Sequence, residues 1–121
     1  MRRVIMSATS IKMEGRSFTS IHEMAENIKR EIRAELISES YRRIDYVNIC
    51  ILSFEKYFFR NGSYASLSVV LTENGDEKTA DIVGSGGGEG LFNISWGANS
   101  EFAQDAENIL KRFGLSTSEK R

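Results

Sequence analysis

Few residues in this sequence have the types and spacing that chemistry requires. His22 is the only histidine and Cys50 the only cysteine among 121 residues, so a transition-metal site has almost no ligands to draw on, and the sequence indicates no partner for His22 as a catalytic base. We expect His22 to be solvated in the first turn of a helix, and Cys50, in "VNICILSF", to be a buried thiol. The sequence therefore predicts no enzyme, no metal and no cofactor. Five further polar residues could support acid–base chemistry, but no spacing brings them together: Glu55, Tyr57, Asp81, Glu89 and Asn93.

A glycine-rich segment, "DIVGSGGGEGLFNISWG" (81–97), holds half of the ten glycines: Gly84, Gly86, Gly87, Gly88 and Gly90. It fits neither phosphate-binding glycine pattern, a strand is expected to follow it, and Glu89 adds negative charge, all of which argue against a nucleotide site. Two interpretations stay open. The segment is a flexible hairpin loop or bulge, or its bare backbone closely approaches a ligand, a subunit or another strand.

Aromatic residues concentrate in the first predicted hairpin. The run "IDYVNICILSFEKYFF" (44–59) carries large side chains on both faces, and helices can cover only one of them. The other face is exposed, closed over a ligand or buried against a second subunit, unless the strand bends so that both faces enter one core. The candidate ligand or interface residues are Tyr46, Phe54, Tyr57, Phe59, Tyr64 and Trp96.

Two helices are predicted from apolar residues at helical spacing. The first covers 20–37, where Ser20 and Glu23 match a capping box. The second covers 100–113 and is closed by Gly114. The residues beyond it, 115–121, are expected to form a flexible tail.

The remaining apolar runs predict strands. One strand is expected at 3–13, and a four-strand meander at 44–96 with strands at 44–59, 63–72, 77–84 and 91–96. Asn61-Gly62 and Asn74-Gly75 predict type I′ hairpin turns. The order β-α-β-β-β-β-α predicts one α+β domain over 1–121, an antiparallel meander with both helices packed on one face. TATA-binding-protein-like and reduced helix-grip folds share this plan.

The charge balance excludes long-range attraction to nucleic acid or anionic membranes. Sixteen basic and seventeen acidic residues leave a net charge of −1, with an isoelectric point near 5.9. No signal peptide and no apolar run near a membrane span is recognisable, and the single cysteine can form no internal disulfide. We therefore expect a cytoplasmic protein.

The chain resembles a small bacterial family of single-domain proteins of unknown function. The resemblance covers most of residues 18–114 and is carried by an amphipathic helix followed by "SYASLSVVLTENGDEKTADIVGSGGGEGLFNISWGANSEF". Its most specific parts are the glycine-rich segment and "NISWG" before the last helix. A family of this kind implies no activity, so no site residues carry over from it.

Together these features predict a binding or assembly module that self-associates through its aromatic sheet face or its exposed edge. The alternative is a carrier of a small apolar or anionic ligand, with a pocket between the sheet and the C-terminal helix. In the carrier, Tyr46, Phe54, Tyr64 and Trp96 line the pocket and the amides of Gly86–Gly88 hold an anionic group.

Overall fold

The computed structural model describes residues 5–58, 63–88 and 94–121. These residues form six strands and two helices. The strands are β1 (Ile5–Arg16), β2 (Glu35–Ile44), β3 (Val47–Phe58), β4 (Ser63–Asn74), β5 (Glu77–Gly88) and β6 (Ser116–Lys120). The helices are α1 (Ile21–Glu31), between β1 and β2, and α2 (Ile94–Lys111), between β5 and β6.

The strands form one antiparallel sheet in the order β2-β3-β4-β5-β1-β6. The predicted α+β class and the order β-α-β-β-β-β-α are confirmed, with β6 added at the end. Strand β1 lies between β5 and β6, so the first strand of the chain closes the side of the meander that β5 would otherwise leave open.

The alternation of buried and exposed residues along β4 shows which face of the sheet is covered. Ala65, Leu67, Val69 and Leu71 of β4 are all buried, whereas Tyr64 and Ser66 are exposed. Helix α1 packs over β3 and β4, and α2 packs over β5, β1 and β4. Both helices therefore cover the same face, and their apolar residues join the strands in one core.

The first helix is shorter than its apolar pattern predicts. Ser20 caps it as expected, because its hydroxyl oxygen accepts a hydrogen bond from the Glu23 N–H at 3.1 Å. The helix ends at Glu31, and Ile32 is already extended. The prediction of a helix over 20–37 is thus wrong beyond residue 31, because residues 35–44 form β2. As an edge strand with little cover, β2 lacks the apolar alternation that identifies a strand.

The predicted strand at 91–96 is also wrong where the structure describes it. Ile94–Trp96 begin α2, which therefore starts earlier than the predicted residue 100, and 91–93 lie outside the described residues. The sequence composition favours a strand, but β1 already occupies the position beside β5. The chain after β5 therefore leaves the sheet and returns over its face as a helix.

The C-terminal residues form β6 instead of the predicted flexible tail. The backbones of Arg121 and Ser10 exchange two hydrogen bonds at 3.0 and 2.8 Å. The buried carboxylate of Glu107 in α2 accepts hydrogen bonds from Thr117 at 2.5 Å and from Lys120 at 3.0 Å. A polar sequence that looks unstructured is thus held to the sheet by a side chain of the helix above it.

The hairpin turns also differ from the expectation. Gly75 and Asp76 form the turn between β4 and β5, and of the two only Gly75 has a positive φ, +63°. This geometry resembles a type II′ turn, which needs glycine first, and not the predicted type I′ turn centred on Asn74-Gly75. Asp45, with φ 54°, begins the β2–β3 turn. The predicted turn at Asn61-Gly62 lies outside the described residues.

Candidate functional site

One face of the sheet is covered by no element that the structure describes; we call it the bare face. Its middle strand, β4, carries no charged side chain there, since Tyr64, Ser66, Ser68, Val70 and Thr72 alternate with the buried residues. Beside them lie Ile49, Ile51 and Ser53 of β3 and Thr79, Asp81, Val83 and Ser85 of β5. The bare face is therefore rich in hydroxyl groups, with apolar side chains among them. Its charged side chains lie on the strands beside β4 and toward the edges: Glu55 of β3, Asp81 of β5, Lys12 and Glu14 of β1, and Arg42 of β2.

Two of the predicted aromatic residues meet on the bare face. The rings of Tyr57 and Tyr64 lie opposite each other on β3 and β4, with centroids 4.7 Å apart. Both side chains are exposed to solvent, at 42% and 54%. This pair gives one end of the bare face an aromatic contact surface.

The other predicted aromatic residues do not join this pair. Phe54 is buried in the core beneath the helices, and Tyr46 is 82% exposed in the β2–β3 turn. Phe59 lies outside the described residues, as does the side chain of Trp96, whose backbone is in α2. Phe54, Tyr46 and Tyr64 thus point to three different environments and do not line one pocket.

The glycine-rich segment is a strand as far as Gly88. Gly84, Gly86, Gly87 and Gly88 pair with neighbouring strands, and Gly90 lies outside the described residues. The interpretation of these four residues as a hairpin loop is therefore wrong. Gly84 and Gly86 are buried on the face that α2 covers, and α2 carries the small buried residues Ala103 and Ala106. Small residues on both elements let the helix lie close to the sheet.

A cleft of about 280 Å³ opens where the N-terminus of α1 meets the ends of β2 and β3. Glu73 forms its floor: its carboxylate accepts hydrogen bonds from the Ile21 N–H at 3.1 Å and the Asn48 side chain at 3.1 Å. His22 is exposed, as expected, and its ring centroid lies 5.5 Å from that of Tyr41. The Glu73 carboxylate already accepts the Ile21 N–H at the positive end of the helix, so its negative charge disfavours an anion in this cleft.

Polar side chains continue from this cleft along the gap between α1 and β2. The Tyr41 hydroxyl donates to Glu39 at 3.3 Å, and Glu39 accepts from the Lys29 ammonium at 2.7 Å. Burial, with a hydrogen bond to Cys50, raises the pKa of Tyr41. Burial likewise raises the pKa of Cys50, so its thiol is protonated and poorly reactive at neutral pH.

A second cleft, of about 270 Å³, lies between β3, the end of α1 and α2. Lys56 lines it from the sheet, and Asp105 and Asn108 line it from α2. Burial raises the pKa of Asp105. This cleft is where the sequence places a pocket, between the sheet and the C-terminal helix, but its lining is polar and not aromatic.

Lys78 fixes the loop between β1 and α1. Its ammonium is buried and donates to the carbonyl oxygens of Ser17 at 2.8 Å and Gly75 at 2.7 Å, with Glu73 at 3.4 Å. Phe18, held on this loop, is completely exposed. Sequence reasoning did not single out Lys78, since its position on the covered face of β5 becomes visible only with the strand register.

Sequence reasoning also missed β2 and its polar side chains. Glu39, Tyr41 and Arg43 face the side of α1, because they lie opposite Leu52, Cys50 and Asn48 of β3. The segment 39–43 is polar except for Tyr41, so it carries only a weak strand signal. The apolar residues at helical spacing before it, as far as Leu36, obscure that signal. Within the described residues, no three His, Cys, Asp or Glu side chains group as metal ligands would. Neither helix there is long and apolar enough to cross a bilayer.

The sequence matches the model of a family of unknown function, DUF6054, over residues 6–114. The chain belongs to this family, which confirms the predicted resemblance to a family of unknown function, and the match begins nearer the N-terminus than predicted. No curated protein matches the chain. The family carries no activity that could be transferred, and function has to be argued from the surfaces of the molecule.

Proposed function

We propose that this family member is a non-enzymatic assembly module, in which the bare faces of two copies pack against each other. The observation that carries the proposal is a sheet face of six strands, uncovered by any described element and uncharged along its middle strand. Antiparallel sheets with one face in solvent are common, but the side chains on that face are usually polar or charged. Here serine, threonine, valine, isoleucine and tyrosine dominate the centre.

The size of the bare face suits a dimer. Six strands spaced about 4.8 Å apart span roughly 24–29 Å, and strands of 12 residues are about 40 Å long. The resulting area exceeds the roughly 800 Å² per partner that a stable interface of standard size needs. Two such faces can stack as aligned sheets, with their strands within about 30° of each other.

One row of side chains across the bare face has charged ends that are complementary under two-fold symmetry. The register places one row of side chains across five strands: Arg42, Ile49, Thr72, Thr79 and Glu14. The row begins with a cation and ends with an anion. A two-fold axis parallel to the strands brings Arg42 of each copy over Glu14 of the other, while the apolar and hydroxyl groups meet in between.

A further observation supports the non-enzymatic part of this proposal. The candidate acid–base residues Glu55 and Asp81 lie on strands separated by β4, so they do not act together on one substrate atom.

We also propose a cytoplasmic location. Cys50 is a buried free thiol, and the sequence has no second cysteine to pair with it, which favours a reducing compartment.

The test is a charge placed on the bare face. Val83 is 39% exposed there, and Val83→Glu introduces a carboxylate at the centre of the interface without disturbing the core. The matched control is Phe18→Glu, which adds the same charge on an exposed loop. We expect native mass spectrometry and sedimentation to show wild-type protein and Phe18→Glu as dimers or larger, and folded Val83→Glu as a species of smaller mass. Equal assembly of all three proteins, or a monomeric wild type, contradicts the proposal.

A second candidate is the carrying of a small ligand in the cleft between β3 and α2. The favouring observation is the mixed charge of its lining, with Lys56 opposite Asp105 and Asn108. Such a lining suits a small zwitterionic or anionic molecule better than an apolar one. A thermal-shift panel of amino acids and short carboxylic acids tests it: a rise in Tm that Asp105→Asn and Lys56→Met abolish supports the candidate, and no rise contradicts it.

A further inference from the structure

Strand β2 forms an edge of the sheet that is unusually open. It is ten residues long, lies outermost in the sheet, and all its side chains are exposed except the half-buried Ser40. Long open edges invite pairing with another strand, and proteins commonly protect them with proline, a short strand, charged side chains or cover from another element. Of these, β2 has charged side chains, and two of them, Glu39 and Arg43, have opposite charges. No described element covers the outer side of β2, and the sequence contains no proline.

The hairpin fixes which backbone groups of β2 point outward. Ile44 and Val47 flank the two-residue turn and lie opposite each other. A flanking pair of this kind exchanges both of its backbone hydrogen bonds, and such pairs then alternate along an antiparallel ladder. Arg42 and Ser40 therefore point their N–H and C=O groups toward β3. Glu39, Tyr41 and Arg43 point theirs away from the sheet, which leaves a row of donors and acceptors unused along the edge.

We propose that β2 pairs in antiparallel fashion with β2 of a second copy about a two-fold axis at Tyr41, joining two sheets edge to edge. In this register Tyr41 lies opposite Tyr41 of the second copy. Each Glu39 lies opposite Arg43 of the other copy, so the two-fold axis produces this charged pair two times. All outward backbone groups of these three residues then find partners. Each also meets a residue on the same face of the joined sheet, as antiparallel pairing requires.

Charge selects this register over its neighbours. An axis at Glu39 places two carboxylates opposite each other, and an axis at Arg43 does the same with two guanidinium groups. An axis at Ser40 pairs Glu39 with Tyr41 and leaves Arg43 opposite the bulge that follows Leu36. The axis at Tyr41 is the one that matches opposite charges, so the strand is complementary to a copy of itself.

The side chains of Glu39 and Arg43 are already placed for this pairing. Glu39 is held by Lys29 and Tyr41, at 2.7 and 3.3 Å. Arg43 donates through Nε to the carbonyl oxygen of Asp45 at 3.2 Å, and its terminal nitrogens have no partner among the described residues. Exposed ion pairs contribute little binding energy. Their role here is to set the register, while the backbone bonds hold the strands together.

This edge pairing uses a surface other than the bare face, so the two proposals are independent. The axis of the edge pairing is perpendicular to the sheet, whereas the axis of the face-to-face packing runs between two sheets. A chain that uses both interfaces assembles beyond a dimer. A substitution that disrupts one interface therefore leaves a smaller assembly, which is held together by the other interface alone.

A charge-reversal cycle tests the edge pairing. Glu39→Arg and Arg43→Glu each place like charges opposite each other, and the double variant restores opposite charges in the reversed sense. We expect each single variant to raise the dissociation constant of the edge pairing by roughly tenfold or more, and the double variant to recover most of that affinity. Arg33→Glu, a charge reversal in the exposed segment just before β2, is the matched control.

Sedimentation measured in the Val83→Glu background isolates the edge pairing from the face-to-face packing, with circular dichroism as the check of folding. A wild type and a Val83→Glu variant that are both monomeric overturn both proposals. Dimers of Val83→Glu that neither single variant weakens, or that the double variant fails to restore, overturn the edge register alone. Amide exchange gives a second readout: protection at Glu39, Tyr41 and Arg43 must rise with protein concentration, and unchanged exchange there overturns the pairing.

Discussion

Strand β6 at one edge of the sheet has five residues and is tied to the helix above it, whereas β2 at the other edge has ten and stands beyond the cover of α1. The side chains of β6 bond to the buried Glu107, and its edge is kept short. Those of β2 bond to Lys29 at the side of α1, which leaves the outer backbone free. The difference leaves β6 as the protected edge and β2 as the edge with unpaired backbone groups, which is the edge that the proposed pairing uses.

We expect the largest loss of stability from a substitution at the point where β1 contacts the residues that lead into β6. Gly15 of β1 lies against the residues that lead into β6, and a Cβ there would come within 2.6 Å of the Gly114 carbonyl oxygen and 3.1 Å of the Leu115 Cα. Backbone atoms yield poorly, so Gly15→Ala should lower the free energy of unfolding by about 3 kcal/mol. Urea denaturation measures the decrease.

The control is Lys12→Ala, which shortens an exposed side chain on the same strand. Because substitutions at exposed positions usually change stability by less than about 0.5 kcal/mol, this variant should stay close to the wild type. If Gly15→Ala unfolds at the same urea concentration as the wild type, the join beside β6 is looser than the distances indicate.

A smaller effect is expected when the tether of β6 loses its charge. Burial disfavours the charged form of Glu107, but the hydrogen bonds from Thr117 and Lys120 outweigh burial and hold its pKa below the usual value. Glu107→Gln should cost about 2 kcal/mol at pH 7. A lowered pKa stabilises the fold above the pKa of the unfolded chain, and that stabilisation is lost as the pH falls through the folded pKa.

The gap in stability between Glu107→Gln and the wild type should therefore narrow as the pH falls below about 4. Thermal unfolding at a series of pH values measures it. Glu101→Gln, on the exposed side of the same helix, is the control and should show no such convergence. A gap that is constant with pH would mean that Glu107 acts through its shape and not through its charge.

The smallest effect is expected at the open edge. Tyr41→Phe removes the hydroxyl that bonds to Glu39 at 3.3 Å, and it should cost about 1 kcal/mol or less in chemical denaturation. Tyr46→Phe, in the exposed turn, is the matched control and should cost nothing measurable. A destabilisation at Tyr41 as large as that at Glu107 would show that β2 is braced to the core as firmly as β6 is.

The sequence predicts those parts of the fold in which local pattern and tertiary environment agree. Ser20 caps α1 as predicted, by accepting a hydrogen bond from the Glu23 N–H. The alternation of Ala65, Leu67, Val69 and Leu71 with exposed residues identifies the covered face of β4. In these places one local signal is enough, because the helix cap and the core each select the same residue types in most proteins.

The errors occur where the position in the sheet overrides the local pattern. β2 and β6 are edge strands. The apolar residues of β2 do not alternate with polar ones, and β6 is polar throughout, so neither shows the pattern that identifies a strand. Residues 94–96 have strand-forming side chains but follow β5, beside which β1 leaves no space. Pairing between β1 and β5 joins distant parts of the chain, and no local window contains it.

The candidate surfaces were predictable only in part. The expectation that one face of the 44–59 segment stays outside the core follows from its aromatic residues, and Tyr57 and Tyr64 do lie on the bare face. The proposed pairing of Glu39 and Arg43 with a second copy could not be inferred without the register of β2, because a shift by one residue moves every side chain to the other face of the sheet.

The bonds of Lys78 have a consequence for the order of folding. Lys78 and Glu73 belong to opposite arms of the β4–β5 hairpin, a short-range structure, yet they bind Ser17 and the first turn of α1. The place where α1 attaches therefore does not exist until the hairpin has closed. We expect the hairpin to act as the template in the folding transition state, so that substitutions in it slow folding while those in α1 mainly speed unfolding.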